Sequence, residues 1–210
     1  MSVSQELVAA FTAKAELVGA KVTEAAGLPE ALARIVDICE RKKPGEWLLP
    51  PAPGTETGPL NENGLPTRLQ RLIAAPDLAE ADFAALEALA APKGFLCLRR
   101  GLRDHLAGFD VGVAQAAFGV AASGTCALDS TDDDARLATM LGEDSVVLLR
   151  KADLCPDLAG VAGRLRAALA AGGPVFQAFV TGPSRTADIE RVLTLGVHGP
   201  FELHIILLEG

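Results

Sequence analysis

Between two apolar runs, the ten residues from Thr181 to Glu190 hold Thr181, Gly182, Ser184, Arg185, Thr186, Asp188 and Glu190. Hydroxyls, a guanidinium and carboxylates at this spacing could capture an anion. If the segment leaves a strand and opens a helix, Ser184 or Thr186 caps that helix. The helix's first N–H groups have no intrahelical partner and face a ligand. Arg185 adds a planar fork for phosphate or carboxylate, and Gly182 permits unusual backbone angles. The same residues also make an ordinary capped helix, in which Asp188 and Glu190 complement the dipole and oppose an anion. His198 stands in "LGVHGP". It can move a proton near neutral pH, or it can simply bond a carbonyl. The catalytic candidates are therefore His198, Asp188 and Glu190.

A second segment, "AASGTCALDS", sets Ser123, Gly124 and Thr125 after an apolar run. Its hydroxyls and N–H groups suit a phosphate or carboxylate, and equally a plain hairpin turn. No context singles out a nucleophile for a Ser-His-Asp arrangement. His204, inside the last apolar run, reads as structural, and His105 has no obvious partner. Asp132, Asp133 and Asp134 point in different directions on a helix and read as a solvated N-terminus rather than a metal site. The four cysteines, at 39, 97, 126 and 155, form no C-x-x-C pair. Zinc or cluster ligation by local pairing is thus unsupported, and they read as small buried thiols. No cofactor-binding motif is recognisable in the chain.

These residues need elements to hold them. Of 210 residues, half are hydrophobic, enough for a sizeable core; with no Tyr and one Trp, that core is aliphatic. A net charge of −8 argues against a nucleic-acid partner, which needs a basic surface. Residues 1–19 lack the pattern of a secretory signal, and no apolar stretch reaches the ~18–20 residues of a membrane span. The expected compartment is the cytoplasm.

Helical periodicity covers 4–19, with Leu7, Phe11 and Val18 near one face, and 28–43, with Pro29 near the first helical position. "AKVTEA" between them suits a short strand. Residues 44–66 hold six prolines and four glycines. They predict a long loop, anchored through Trp47, that excludes continuous helix or a central strand. Strands and helices then alternate. "DLAEADFAALEALAA" is helical with Asp77 as a possible cap, "GFLCLRR" a strand, and "AAFGVAASGTCALDS" two strands joined at Ser123–Thr125. "DDDARLATML" is a helix, "SVVLL" a strand, "CPDLAGVAGRLRAALAA" a helix, "PVFQAFV" a strand, "ADIERVLTL" a helix and "FELHIILLE" the last strand. This order predicts an α/β fold: a mostly parallel open sheet covered by helices, with an N-terminal helical extension. The apolar runs at 146–149 and 205–208 fit strands buried on both faces. The organisation expected is an N-terminal helical extension over 1–43, a Pro/Gly-rich loop over 44–66 and an α/β domain over 67–210.

"TGPSRTADIERVLTLGVHGPFELHIILLE" resembles the C-terminal signature of the lactate utilization protein C family, whose members are LUD-domain proteins. "DVGVAQAAFGVAASGTCALDS" is similar to the family's central segment. The resemblance covers residues 105–210 well and 1–104 loosely. It implies a fold like that of ribose-phosphate isomerases, CoA transferases and formyltetrahydrofolate cyclo-ligases. It also implies work beside iron–sulfur partner proteins in oxidising lactate to pyruvate, the clusters residing in those partners; the small anionic ligand expected is the one that Arg185 and the two polar turns suit. The family often carries polar or acidic side chains where this chain has Ala114, Ala117 and Ala122. Three readings stand at this point: a lactate-utilization subunit, an independent enzyme acting on a phosphorylated or folate-like compound, and a non-catalytic regulator.

Overall fold

In the computed structural model, residues 4–45, 56–170, 172, 175–187, 193–196 and 199–209 are described. In chain order the elements are α1 (Gln5–Leu17), β1 (Lys21–Ala25), α2 (Leu28–Arg41), β2 (Leu72–Ala74), α3 (Glu80–Ala90), β3 (Leu96–Leu98), β4 (Phe109–Val120) and β5 (Thr125–Asp129). There follow α4 (Asp133–Leu141), β6 (Gly142–Arg150), β7 (Leu154–Cys155), α5 (Leu158–Ala170), β8 (Gln177–Val180), β9 (Arg185–Ala187), β10 (Leu193–Leu195) and β11 (Glu202–Leu208).

The strands β1-β11-β6-β4-β2-β3 lie side by side and all run parallel. Alternation of side chains explains why the central strands are apolar throughout. On β6, Val146 and Leu148 turn to one face, where they pack in a cluster with Ile35 and Val36 of α2 and Leu86 of α3. Val147 and Leu149 turn to the other face, in a cluster with Phe11 and Ala15 of α1. Ala138 of α4 packs with Ala74 and Phe109 on the strands beside it. The fold is α/β, a mostly parallel sheet flanked by helices, as the alternation of elements predicts. Residues 21–41, read from the sequence as part of an extension, supply the edge strand β1 and much of one core face through α2.

Strand β4 serves two ladders. Its first half pairs with β2 and β6. Its second half, past an irregularity between Ala116 and Phe118, pairs with β5, which pairs in turn with β8. The expected pair of strands joined at Ser123–Thr125 is this antiparallel β4–β5 turn.

Two local expectations are corrected. Residues 187–195 were expected to form a helix; of these, 188–192 lie outside the described residues. Instead β9 and β10 pair antiparallel, with Thr186 opposite Thr194 and Arg185 opposite Leu195. β-Branched threonines suit such a ladder, and pairing overrides a short stretch of helical periodicity. Asp77 does not cap α3: the residue at that position is Ala79, without a side-chain bond. Residues 56–65, within the expected loop, contain only an isolated bridge from Leu60 to Pro66. Trp47 lies outside the described residues.

The ends of that loop are fastened by buried charge. Asp110, the second residue of β4, is fully buried. One carboxylate oxygen accepts the N–H of Gly45 at 3.2 Å, and the other accepts that of Leu72 at 2.8 Å. Lys42 Nζ stands 3.4 Å from Asp110 and 2.8 Å from Glu143; Arg68, also buried, stands 3.5 Å from Asp110 and 2.9 Å from Glu143. Removing one member of such a network strands the others' charge. Asp110→Ala should therefore lower unfolding free energy by about 3–5 kcal/mol, read from urea denaturation.

The cysteines divide among three core clusters: Cys39 and Cys97 in one, Cys126 in a second and Cys155 in a third. Burial pushes the thiols of Cys39, Cys97 and Cys126 up to about 12. The thiolate is the nucleophile, so these three should resist iodoacetamide in the native protein at neutral pH and react once urea unfolds it. Mass spectrometry of the labelled chain checks this.

Candidate functional site

From β2 the chain steps outward to β3, then returns to β4 on the other side of β2 and continues through β6 to β11. The direction reverses between β2 and β4. In open α/β sheets the crevice outside the carboxyl ends of the strands at such a point is the usual ligand site. Here a cavity of about 630 Å³ opens at that place, lined by Asp77, Leu78, Arg99, Arg100, Gln115, Asp132 and Arg150 among others. Asp77 comes three residues after β2. Gln115 is the last residue of β4 in register with β6, just before the strand turns into its second ladder.

Asp77 and Gln115 are joined directly. The Gln115 N–H donates to Asp77 Oδ2 at 3.3 Å, and Gln115 Nε2 donates to the Asp77 carbonyl at 3.4 Å. Asp77 keeps access to solvent, yet the walls of the recess strip part of its hydration and raise its pKa. The Gln115 N–H opposes the rise, while the negative charges of Asp132 and Asp129 add to it. Arg99 is tied to the Leu78 carbonyl at 3.2 Å and Arg150 to Asp153 at 2.7 Å. Arg100 is the least restrained of the three, exposed and 3.6 Å from Asp132. The arrangement sets a carboxyl group able to exchange a proton beside guanidinium groups able to hold a small anion.

The two segments singled out in the sequence meet elsewhere, at the far end of β4. Thr125 is buried and bonds to Ser123 and to Thr181, each hydroxyl pair 2.7 Å apart. The β5–β8 pairing brings these turns together, with Cys126 opposite Val180. Both turns close on the carboxyl end of α1. Gly124, at φ +66°, leaves no room for a Cβ, which would stand 2.3 Å from Ala15 N. Gly182, at φ +80°, lies likewise against the Val18 carbonyl, 2.4 Å from a Cβ built there. Glycine is needed at both for conformation and for space. Ser184 braces the next turn, donating its N–H to Pro200 and accepting that of Gly196. Arg185 is exposed and its guanidinium lies over Gly19 and Gly182. Because Arg185–Ala187 form β9, Ser184 opens no helix among the described residues. Asp188, Glu190 and His198 lie outside the described residues. Of the three alanines, Ala114 is buried in the cluster beneath α1, whereas Ala117 and Ala122 are exposed.

Sequence reasoning missed Asp77 as a site residue because its place before a helical stretch matched a cap. The available signal was position: an acid shortly after an apolar run, in a chain whose order predicts a parallel sheet.

A second recess, of about 880 Å³, opens at the amino ends of the strands, beside the buried network of Lys42, Asp110 and Glu143. Burial pushes Asp144 there up to about 6 and lowers the pKa of His204, while the bond from Lys21 lowers that of Glu202.

The raised pKa of Asp77 gives a testable sign. The folded protein holds this proton more tightly than the unfolded chain, so stability falls as pH rises from the ordinary value of 3.8 through the raised one. Asp77→Asn should flatten that part of the pH profile of the urea midpoint. A profile unchanged by the substitution would show that Asp77 titrates normally.

The family model described as LUD domain matches residues 8–208. The chain is 37% identical over 101 residues to the uncharacterized protein YkgG of Escherichia coli K12; the match covers 47% of the chain and 44% of that relative. It is 34% identical over 102 residues to lactate utilization protein C of Halalkalibacterium halodurans, covering 48% of the chain and 44% of the relative. The corresponding figures for lactate utilization protein C of Bacillus subtilis are 33% over 102 residues, 48% and 42%. The chain thus spans less than half the length of these curated relatives. In fold it is similar to the crystal structure of a DUF162 family protein from Deinococcus radiodurans, with a TM-score of 0.57, 18% identity and coverage of 97% and 96% of the two chains. Among the described residues no helix is long and apolar enough to cross a membrane. With the family model matched over nearly all of its length, the chain belongs to the LUD domain family.

Proposed function

We propose that this chain is a LUD-domain subunit of a lactate utilization system and acts with iron–sulfur partner proteins in oxidising lactate to pyruvate. The observation that carries the reading is the family match over 8–208 together with relatives named lactate utilization protein C. The ligand site of this reading is the crevice between β2 and β4. Lactate is a small carboxylate, and Arg100, held only by its exposed ion pair with Asp132, is the guanidinium that pairs with it. Asp77 accepts one of the two protons that the reaction releases; its raised pKa brings it closer to the neutral range in which a general base works best. The two electrons leave to clusters in the partners. The turns at Ser123–Thr125 and Thr181–Arg185 act in this reading as the brace that closes α1 onto the sheet.

Co-expression with cysteine-rich iron–sulfur proteins from the same genome, followed by co-purification and a lactate-dependent dye-reduction assay, tests the proposal. The complex should reduce dye only with lactate present. Asp77→Asn should lower turnover by about 10²-fold or more, the scale of a lost acid–base group. Arg100→Ala should weaken lactate binding by about 1.5–3 kcal/mol, the scale of a charged hydrogen bond. A complex without lactate-dependent reduction, or a purified chain that alone turns over a phosphorylated or folate-like compound, would overturn the reading.

A further inference from the structure

The amino-end recess presents a second group of side chains that the lactate reading does not use. Glu202 and His204 are two apart on β11 and so share one face of the sheet. Asp144 on β6 is the register partner of Glu202, which places it on that same face. One ligand atom from each of the three lies within 4.8 Å of the other two, and all three line the recess. His204 Nε2 stands 2.9 Å from Glu202 Oε2.

Asp144 is the informative member. It is 7% exposed, and among the described residues its carboxylate has no hydrogen-bond or ion-pair partner. A carboxylate that keeps only a narrow contact with water and has no partner is costly. The cations nearby are engaged elsewhere: Lys42 with Asp110 and Glu143, Lys21 with Glu202 at 2.6 Å. Lys21 is half exposed and can swing to solvent.

We infer that Asp144, Glu202 and His204 form a binding site for a divalent transition metal such as zinc, open on the recess side. Two carboxylate oxygens and one imidazole nitrogen suit such an ion, with bonds of about 2.0–2.2 Å and at least one position left for water or a ligand. Tetrahedral bonds of that length set ligand atoms about 3.3–3.6 Å apart, so modest side-chain rotations close the present spacing. Asp144 feels the charges of Lys42 and Lys21 without bonding to either; the ion binds it directly, and Lys21 is the internal cation that it displaces from Glu202. The inference is independent of the lactate reading, since it concerns the opposite end of the sheet.

The test uses the full chain after treatment with EDTA. Titration calorimetry with zinc chloride should give one ion per chain, and cobalt(II) should give the visible bands of a low-symmetry site without thiolate charge-transfer bands. Asp144→Asn and His204→Gln should each weaken zinc binding by at least about tenfold, the least expected when even an outer-shell partner is lost. Circular dichroism checks that both variants fold, and Glu202→Gln replaces either one that does not. Lys21→Met should bind zinc at least as tightly as the parent. The site is refuted if the parent binds no ion at one per chain, if binding survives the ligand substitutions, if cobalt reports thiolate ligation, or if Lys21→Met loses affinity.

Discussion

A fully buried aspartate at the start of the central strand is the constraint on which the rest of the arrangement depends. Asp110 gathers the N–H groups of Gly45 and Leu72 and the cations of Lys42 and Arg68 around the amino end of β4. These groups come from both ends of the proline-rich segment and from the first residue of β2. β2 is only three residues long and pairs with β4 through Ile73 and Ala74. Two ladder positions hold a strand weakly, and the bond from Leu72 to Asp110 adds the missing purchase. The setting of Asp77 against Gln115, at the other end of the same two strands, follows from it. A buried charge cluster is poor evidence of net stability, but one whose members come from distant segments fixes which segments meet.

The sheet was legible in the sequence because both of its faces are covered. Val146 to Leu149 and Ile205 to Leu208 are continuous apolar runs, and alternation sends their residues to two cores. The hairpin at Ser123–Thr125 was legible for a different reason, since a glycine between hydroxyl residues marks a turn wherever it falls. The pair β9 and β10 was not. Its threonines and leucines fit a helix or a strand equally over so few residues, and the choice is made by pairing that no local pattern encodes. Asp77 was hidden by a similar ambiguity, because an acid ahead of a helical stretch has the same appearance whether it caps or lines a crevice.

The polar richness of the segment around Ser184 and Arg185 follows in good part from its neighbours. The last turn of a helix leaves carbonyls without partners. α1 ends against two turns whose glycines admit close approach, and hydroxyl groups rather than apolar side chains join those turns across the junction. Polar residues at such a seam satisfy one another, as Thr125 does in a buried position with partners on both sides.

The double membership of β4 has a further consequence, for how the molecule comes apart. A strand whose two halves belong to different ladders cannot fray from one without straining the other. The outer ladder of β5 and β8 and the parallel sheet are therefore joined as one cooperative unit through a single unbroken backbone. Strain from an opening in the outer ladder passes through the irregularity between Ala116 and Phe118 to Gln115, in the wall of the crevice. The stretch of β4 that joins the two ladders thus also carries Gln115 into the crevice.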